Sequence, residues 1–196
     1  MAEITVVLAH GAGAGKDHPW MKRVALAFES AGSRVVTFNF PYIDAKKHVP
    51  DRPAVLEAHM AAVWRDAAKD AKGPVFAAGK SMGGRIASQV AAKAELIPAP
   101  AGLVFFGYPL HPPGKPDQRR DAHLPKITAP MLFMQGTRDP FASPDEMRAL
   151  VDGLPSSTLS IVEGGDHSLM TTRKAGAKSV EDAVAGAVAW MRARVS

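Results

Sequence analysis

Val75-Phe76-Ala77-Ala78-Gly79-Lys80-Ser81-Met82-Gly83-Gly84-Arg85 is the stretch on which the reading of the whole chain turns. It opens as a short apolar run of strand length and closes into the pattern G-x-S-x-G over Gly79 to Gly83. It then passes straight into a segment with Ile86, Ala87, Val90 and Ala91 on one helical face. A strand that turns this sharply into a helix leaves no room for side chains at the outer positions, so glycine is needed there, and the turn lifts the central hydroxyl above the sheet edge. The pattern alone is a weak signal. The strand before it and the helix after it give it chemical meaning and make Ser81 the candidate nucleophile.

Outward from this stretch, strand-sized runs rich in β-branched and aromatic residues fall at Ile4 to Ala9, Arg34 to Phe40, Val75 to Gly79, Gly102 to Gly107, Met131 to Gln135 and Thr158 to Val162. Most are continuously apolar, as parallel strands covered on both faces must be. Between them lie helical spacings. Met21, Val24, Ala25 and Phe28 share a face that stops at Gly32, and Val55, Leu56, Met60, Val63 and Trp64 share one that stops at Gly73. Ser143-Pro144-Asp145-Glu146 reads as a capping box opening a helix that ends at Gly153, and Ser179 is expected to cap a last helix carrying Val180, Val184, Val188 and Met191. Strands alternating with helices predict an α/β fold of about six mostly parallel strands with helices on both faces. No repeat or linker divides residues 1–196, so a single domain is expected. The proline-rich segment Tyr108 to Pro130 breaks the rhythm and is read as a rim or short lid over the carboxyl edge of the sheet, or else as an inert connection.

Composition narrows the chemistry. With no cysteine, thiolate catalysis, disulfides and cysteine-based metal sites are excluded. No apolar run approaches the ~20 residues of a membrane span, and no basic run joined to an apolar stretch opens the chain, so the expectation is a cytoplasmic protein that does not engage a membrane. The formal charge of +5 comes from scattered cations with no recognisable nucleic-acid module around them, so no nucleic-acid partner is expected. Lys80, Lys115, Arg119 and Arg120 either favour an anionic substrate or are simply solvated. Neither metal nor cofactor is expected.

A serine hydroxyl is a poor nucleophile at neutral pH and needs a histidine base whose tautomer is fixed by an acid. In strand-turn-helix enzymes of this kind the partners follow in the order Ser, Asp or Glu, His, each after a later strand. Asp139 stands in the loop after Met131 to Gln135, and His167 in the loop after Thr158 to Val162. Of the seven histidines, His167 alone follows the last strand. Asp166 is the rival acid, but it adjoins the histidine and would struggle to fold back onto that ring. An oxyanion needs two preorganised N–H donors. Met82, after the nucleophile, and Ala12, in the loop His10-Gly11-Ala12-Gly13-Ala14-Gly15, are the candidates. Read instead as a dinucleotide fingerprint, that loop fails at Lys16, and no acid ends the second strand. Gly11, Lys80, Tyr108 and His111 are the candidate substrate contacts.

His10-Gly11-Ala12-Gly13, Phe38-Asn39-Phe40-Pro41-Tyr42, Gly79 to Arg85, Gly107-Tyr108-Pro109 leading to His111-Pro112-Pro113-Gly114-Lys115-Pro116, Gln135-Gly136-Thr137-Arg138-Asp139-Pro140-Phe141 and Gly165-Asp166-His167-Ser168 together resemble a family of predicted α/β-hydrolases related to dienelactone hydrolases. Animal relatives of that family include testis-expressed and NSL-complex subunit proteins. The resemblance spans nearly the whole chain. It implies a minimal α/β-hydrolase fold with no large cap domain and a triad on Ser81, Asp139 and His167. It supplies no substrate.

The function expected is hydrolysis of a small ester, thioester or related acyl bond through an acyl-enzyme on Ser81, with a small-molecule acyl substrate as partner. Two other readings use the same fold: an interaction or scaffold protein, and an acyltransferase working with the same triad. The acyl group, the leaving group and the oligomeric state are not encoded in any motif.

Overall fold

The computed structural model describes residues 3–172 and 176–195. In chain order the elements are β1 (Thr5–Ala9), α1 (Pro19–Ser30), β2 (Arg34–Thr37), α2 (Pro41–Asp44), α3 (Pro53–Lys69), β3 (Val75–Lys80), α4 (Met82–Ala91), β4 (Gly102–Phe106), β5 (Met131–Gly136), α5 (Pro144–Asp152), β6 (Ser157–Val162) and α6 (Gly176–Arg192). Single 3-10 turns lie at Ala94–Leu96 and Leu124–Lys126. The strands form one six-stranded sheet in the order β2-β1-β3-β4-β5-β6. Every neighbouring pair is parallel.

Period-two alternation sends each apolar strand into two cores at once. Val6, Leu8, Phe76, Ala78, Val104 and Phe106 face α1 and α6, meeting Trp20, Val24 and Phe28 from one and Val184 and Val188 from the other. Val7, Ala9 and Ala77 face the opposite way, onto Leu56, Met60 and Trp64 of α3 and Ile86 and Val90 of α4. A third cluster joins Leu103, Phe105, Met131 and Phe133 to Met147 and Leu150 of α5. Tyr108, Leu110 and Leu124 belong to it, so the proline-rich segment is anchored through its buried side chains.

The order of the strands reverses direction at β1, whose neighbours are β2 and β3. Loops leaving the carboxyl ends of two such strands part to opposite faces and open a crevice, which is where parallel sheets bind ligands. The loop after β1 and the turn after β3 flank this crevice.

Three local expectations shift. β2 stops at Thr37 rather than Phe40, because its pairing with β1 ends at Leu8 and the chain then turns into the core. Beyond that point the Phe40 N–H donates to His10 Nε2 at 3.0 Å, the Phe38 and Phe40 rings turn into the core, and Pro41 starts α2. α3 ends at Lys69, with Asp70 as its cap, so Gly73 lies beyond the helix terminus. α6 starts at Gly176, and Ser179 sits in its first turn with the hydroxyl 3.0 Å from the Gly176 carbonyl and 2.8 Å from that of Leu169. No proline or β-branched residue at 176–178 halts the helix before serine is reached, and a serine within a helix satisfies its hydroxyl on a preceding carbonyl. Gly153, by contrast, does cap α5, although in right-handed conformation. The capping box of Ser143 and Glu146 forms, and Gly32 adopts φ +83° after α1. Among the described residues no helix is long and apolar enough to cross a membrane.

Candidate active site

Ser81 joins β3 to α4 with φ 50° and ψ −116°, a conformation that costs a non-glycine residue free energy and that the surrounding packing enforces. A Cβ on Gly79 would lie 2.3 Å from the Gly84 nitrogen, and one on Gly83 would lie 2.5 Å from the carbonyl oxygens of Ala9 and His10. The glycines thus let the turn close against itself and against the end of β1. Ser81 N–H donates to the Phe106 carbonyl at 3.1 Å, tying the turn to β4.

The structure brings Ser81, His167 and Asp139 together. Ser81 Oγ lies 2.8 Å from His167 Nε2, and His167 Nδ1 lies 2.7 Å from Asp139 Oδ2. The Asp139 side chain is fully buried, accepting from the Phe141 N–H at 2.9 Å and from Gln135 Nε2 at 2.7 Å. Gln135 is itself buried, and its Oε1 accepts from the Tyr108 N–H at 3.0 Å, so the loops after β4 and β5 are cross-braced beneath the aspartate. The rival acid Asp166 is used otherwise: its Oδ1 accepts from the N–H groups of Ser168 at 2.7 Å and Met170 at 3.0 Å, shaping the loop that carries His167. Phe141 stacks on the imidazole with 4.1 Å between ring centroids. Gly107, at φ +66°, passes so close behind that a Cβ there would meet the His167 carbonyl at 2.5 Å.

Above the serine opens a cavity of about 560 Å³, walled in part by Gly11, Ala12, Lys80, Met82, Phe141 and His167. Of the expected substrate contacts, Gly11 and Lys80 reach this wall, but Tyr108 and His111 are not on it. Tyr108 is 1% exposed, packs against Phe105 and Phe133, and spends its hydroxyl on the Arg120 carbonyl at 2.9 Å. Its size and apolar ring carry it into the core beneath the rim. His111 is buried beside Glu146, 3.2 Å from Oε1, with Nδ1 2.8 Å from the Pro112 carbonyl. The wall receives Pro109 and Arg120 from this segment instead. Ala12 and Met82 both line the cavity, and among the described residues neither N–H has an intramolecular acceptor.

His10 fixes the loop after β1. Its Nε2 accepts from Phe40 N–H, which leaves Nδ1 to donate to the Gly11 carbonyl at 2.8 Å. Burial lowers its pKa, in keeping with a neutral ring serving as a bracket. Lys80 donates from Nζ to the His167 carbonyl and lies over the Trp20 ring. Burial pulls this ammonium down to about 8, against the pull of Asp139 and Asp166. Trp20 in turn donates from its indole to the Ser168 carbonyl at 3.0 Å.

A second serine–histidine contact lies about two turns further along α4, where Ser88 Oγ is 2.7 Å from His123 Nε2. Ser88 is fully buried and also lies 2.7 Å from the Arg85 carbonyl, an acceptor only, so its proton goes there and it accepts from the imidazole. Among the described residues no cluster of three or more His, Asp or Glu side chains is placed to hold a metal ion.

Sequence reasoning did not single out Gln135, Phe141 or Trp20. Gln135 and Phe141 sit within the quoted run around Asp139, but nothing in spacing separates a glutamine that steers an acid from any other buried strand residue. Trp20 stands just before the helical face read from Met21, Val24, Ala25 and Phe28, and the structure packs it into the same core.

A parallel α/β sheet with a serine on a strained strand-to-helix turn, and an aspartate and a histidine on loops after the two last strands, defines the α/β-hydrolase class. The chain belongs to the alpha/beta hydrolase domain family, whose model matches residues 2–195. Among solved structures it is similar to an alpha-beta serine hydrolase homologue from Coxiella burnetii, at 18% identity over 95% of this chain and 86% of that one, with a TM-score of 0.76. A dienelactone hydrolase from Anabaena variabilis gives 22% identity, 100% and 88% coverage and a TM-score of 0.75. Est1E from Butyrivibrio proteoclasticus gives 16% identity, 98% and 89% coverage and a TM-score of 0.71. These likenesses show a shared fold.

Proposed function

We propose that the protein is a serine hydrolase acting on a small ester, thioester or related acyl bond through an acyl-enzyme on Ser81. The observation that carries this is the continuous hydrogen-bonded path from Ser81 Oγ through both nitrogens of His167 to Asp139 Oδ2, with distances of 2.8 Å and 2.7 Å. As Oγ bonds to the acyl carbon, its proton passes to His167 Nε2, and Asp139 holds Nδ1–H in place and balances the imidazolium. The Ala12 and Met82 N–H groups, on residues that line the cavity and with no acceptor among the described residues, then receive the negative oxygen of the tetrahedral intermediate. That intermediate collapses when the bond to the leaving group breaks and the leaving oxygen or sulfur takes the proton from Nε2. Water then gives a proton to Nε2, bonds to the acyl carbon, and releases the acid while the proton returns to Oγ.

An interaction protein built on the same fold has no use for a strained serine hydrogen-bonded through a histidine to a buried acid beside a cavity. The deciding measurement is turnover of 4-nitrophenyl acetate and fluorophosphonate labelling, on wild type and Ser81→Ala. Wild type is expected to turn over the ester and to label at Ser81, and the variant to lose about 10⁴-fold or more in kcat while keeping its melting temperature. Equal turnover by both proteins would remove Ser81 from the chemistry.

A further inference from the structure

The turn at Ser81 needs its glycines, but nothing in its geometry asks for the arginine that follows them. Arg85 lies four residues beyond Ser81, on the same helix face, with its backbone N–H donating to the Ser81 carbonyl at 3.1 Å. Its side chain is partly buried and lines the cavity that holds Ser81 and His167. Arg120 reaches the same wall from the rim segment. Its main chain is fixed there by N–H donation to the Leu110 carbonyl at 2.8 Å and by the Tyr108 hydroxyl on its own carbonyl.

These cations are poorly partnered. Arg85 Nε is buried with no hydrogen bond, and among the described residues the side chain's one such contact is to Gln89 Oε1 at 3.5 Å, the far limit of such a bond. Among the described residues the Arg120 guanidinium has no hydrogen bond or ion pair. Glu57, whose charge acts on Arg85, is paired with Lys93, and Asp121, the chain neighbour of Arg120, is paired with Arg119. Asp51, the carboxylate on the cavity wall, faces Lys47 at 3.9 Å. Burial, and then the neighbouring Arg120 charge, lowers the Arg85 pKa, the mark of two cations crowded together away from water. Of the other basic residues of the segment, Arg119 is taken by Asp121 and Lys115 is exposed.

We propose that Arg85 and Arg120 form an anion subsite within the cavity, and that the preferred substrates are esters bearing a carboxylate, gripped by the two guanidiniums while the scissile carbonyl lies over Ser81. The proposal rests on the serine-hydrolase reading above. A guanidinium fork matches a carboxylate in two parallel hydrogen bonds, and a bound anion relieves the mutual repulsion of the pair in a site partly withdrawn from solvent. Arg85 and Arg120 would then select the substrate, with Ser81, His167 and Asp139 carrying out the bond exchange.

The test compares kcat/KM for 4-nitrophenyl hydrogen adipate, charged on the acyl arm, with that for its neutral amide, 4-nitrophenyl adipamate. A second arm compares 3-carboxyphenyl butanoate with 3-carbamoylphenyl butanoate, charged or neutral on the leaving group. Wild type is expected to prefer the carboxylate form in one arm by about tenfold or more, with the preference shrinking as salt rises. Arg85→Met and Arg120→Gln should each cut that ratio about fivefold or more, chiefly through KM, and the double variant should abolish it. Because the readout is a ratio on one protein sample, partial unfolding lowers both rates and leaves it unmoved. Arg120→Gln, on the rim, also guards against a variant of α4 that fails to fold. Wild-type turnover without charge preference in either arm, or variants with an unchanged ratio, would overturn the subsite and leave the serine hydrolase standing. Absence of all turnover together with absence of fluorophosphonate labelling would overturn both.

Discussion

Two serines on or beside one helix each contact a histidine at nearly the same distance, Ser81 with His167 at 2.8 Å and Ser88 with His123 at 2.7 Å. Only the surroundings differ. Ser81 stands at the helix start in a strained conformation, opens onto a cavity, and meets an imidazole whose other nitrogen is held by a buried carboxylate. Ser88 is sealed inside α4 and donates to the Arg85 carbonyl, so its hydroxyl proton points away from the ring. His123 has no carboxylate hydrogen-bonded to it among the described residues, and burial followed by the Arg85 charge holds its pKa down to about 4. A serine–histidine distance therefore says little by itself. What separates a candidate catalyst from a structural clasp is where the proton can go, what steadies the imidazole, and whether a substrate can arrive.

The contrast can be broken most decisively at the carboxylate. Asp139→Asn is expected to lower kcat on 4-nitrophenyl acetate about 10⁴-fold, because the amide offers Nδ1 the wrong partner and destabilises the imidazolium. Loss of less than about tenfold would mean that the acid does not set the first pair apart from the second.

A smaller effect belongs to His123 and to acid pH. Its depressed pKa means that the unfolded chain takes up a proton between pH 6.5 and about 4 that the folded chain refuses. The stability tied to the neutral ring is complete above pH 6.5 and drains away as pH falls toward 4, by roughly 3 kcal/mol at most. His123→Gln should flatten the dependence of the melting temperature on pH over that window. An identical slope in wild type and variant would show that the ring is not held neutral.

Least of all should happen at Ser88. Ser88→Ala is expected to cost about 1 to 2 kcal/mol of stability, from the donor left unpaired on His123, while kcat/KM changes less than about threefold. A drop comparable to that of Ser81→Ala would erase the distinction between the two pairs.

Much of this was legible before any coordinates. The parallel sheet followed from apolar runs alternating with helical faces, and the glycines around Ser81 announced a turn that only they can make. The positions of Asp139 and His167 followed from chain order, since each leaves the end of a late strand. Tyr108 and His111 were expected at the cavity because they neighbour it in sequence, yet their fate is decided by packing: an aromatic ring beside Phe105 and Phe133 is drawn inward. The end of β2 is not legible because strand propensity in Phe38 and Phe40 says nothing about where the pairing with β1 stops. Gln135 is hidden for a related reason, as its role exists only where the loops after β4 and β5 meet.

The loop that bears His167 is held at five of its main-chain carbonyls by side chains from elsewhere in the chain. Lys80 holds the carbonyl of 167, Trp20 that of 168, Ser179 that of 169, and Arg138 those of 164 and 171. Anchors of this kind do not depend on the identity of the side chains they hold. Natural drift or a designer is therefore free to exchange residues such as Ser168, which borders the cavity, and so to retune what the pocket admits, with the imidazole kept in register by elements contributed from elsewhere in the chain.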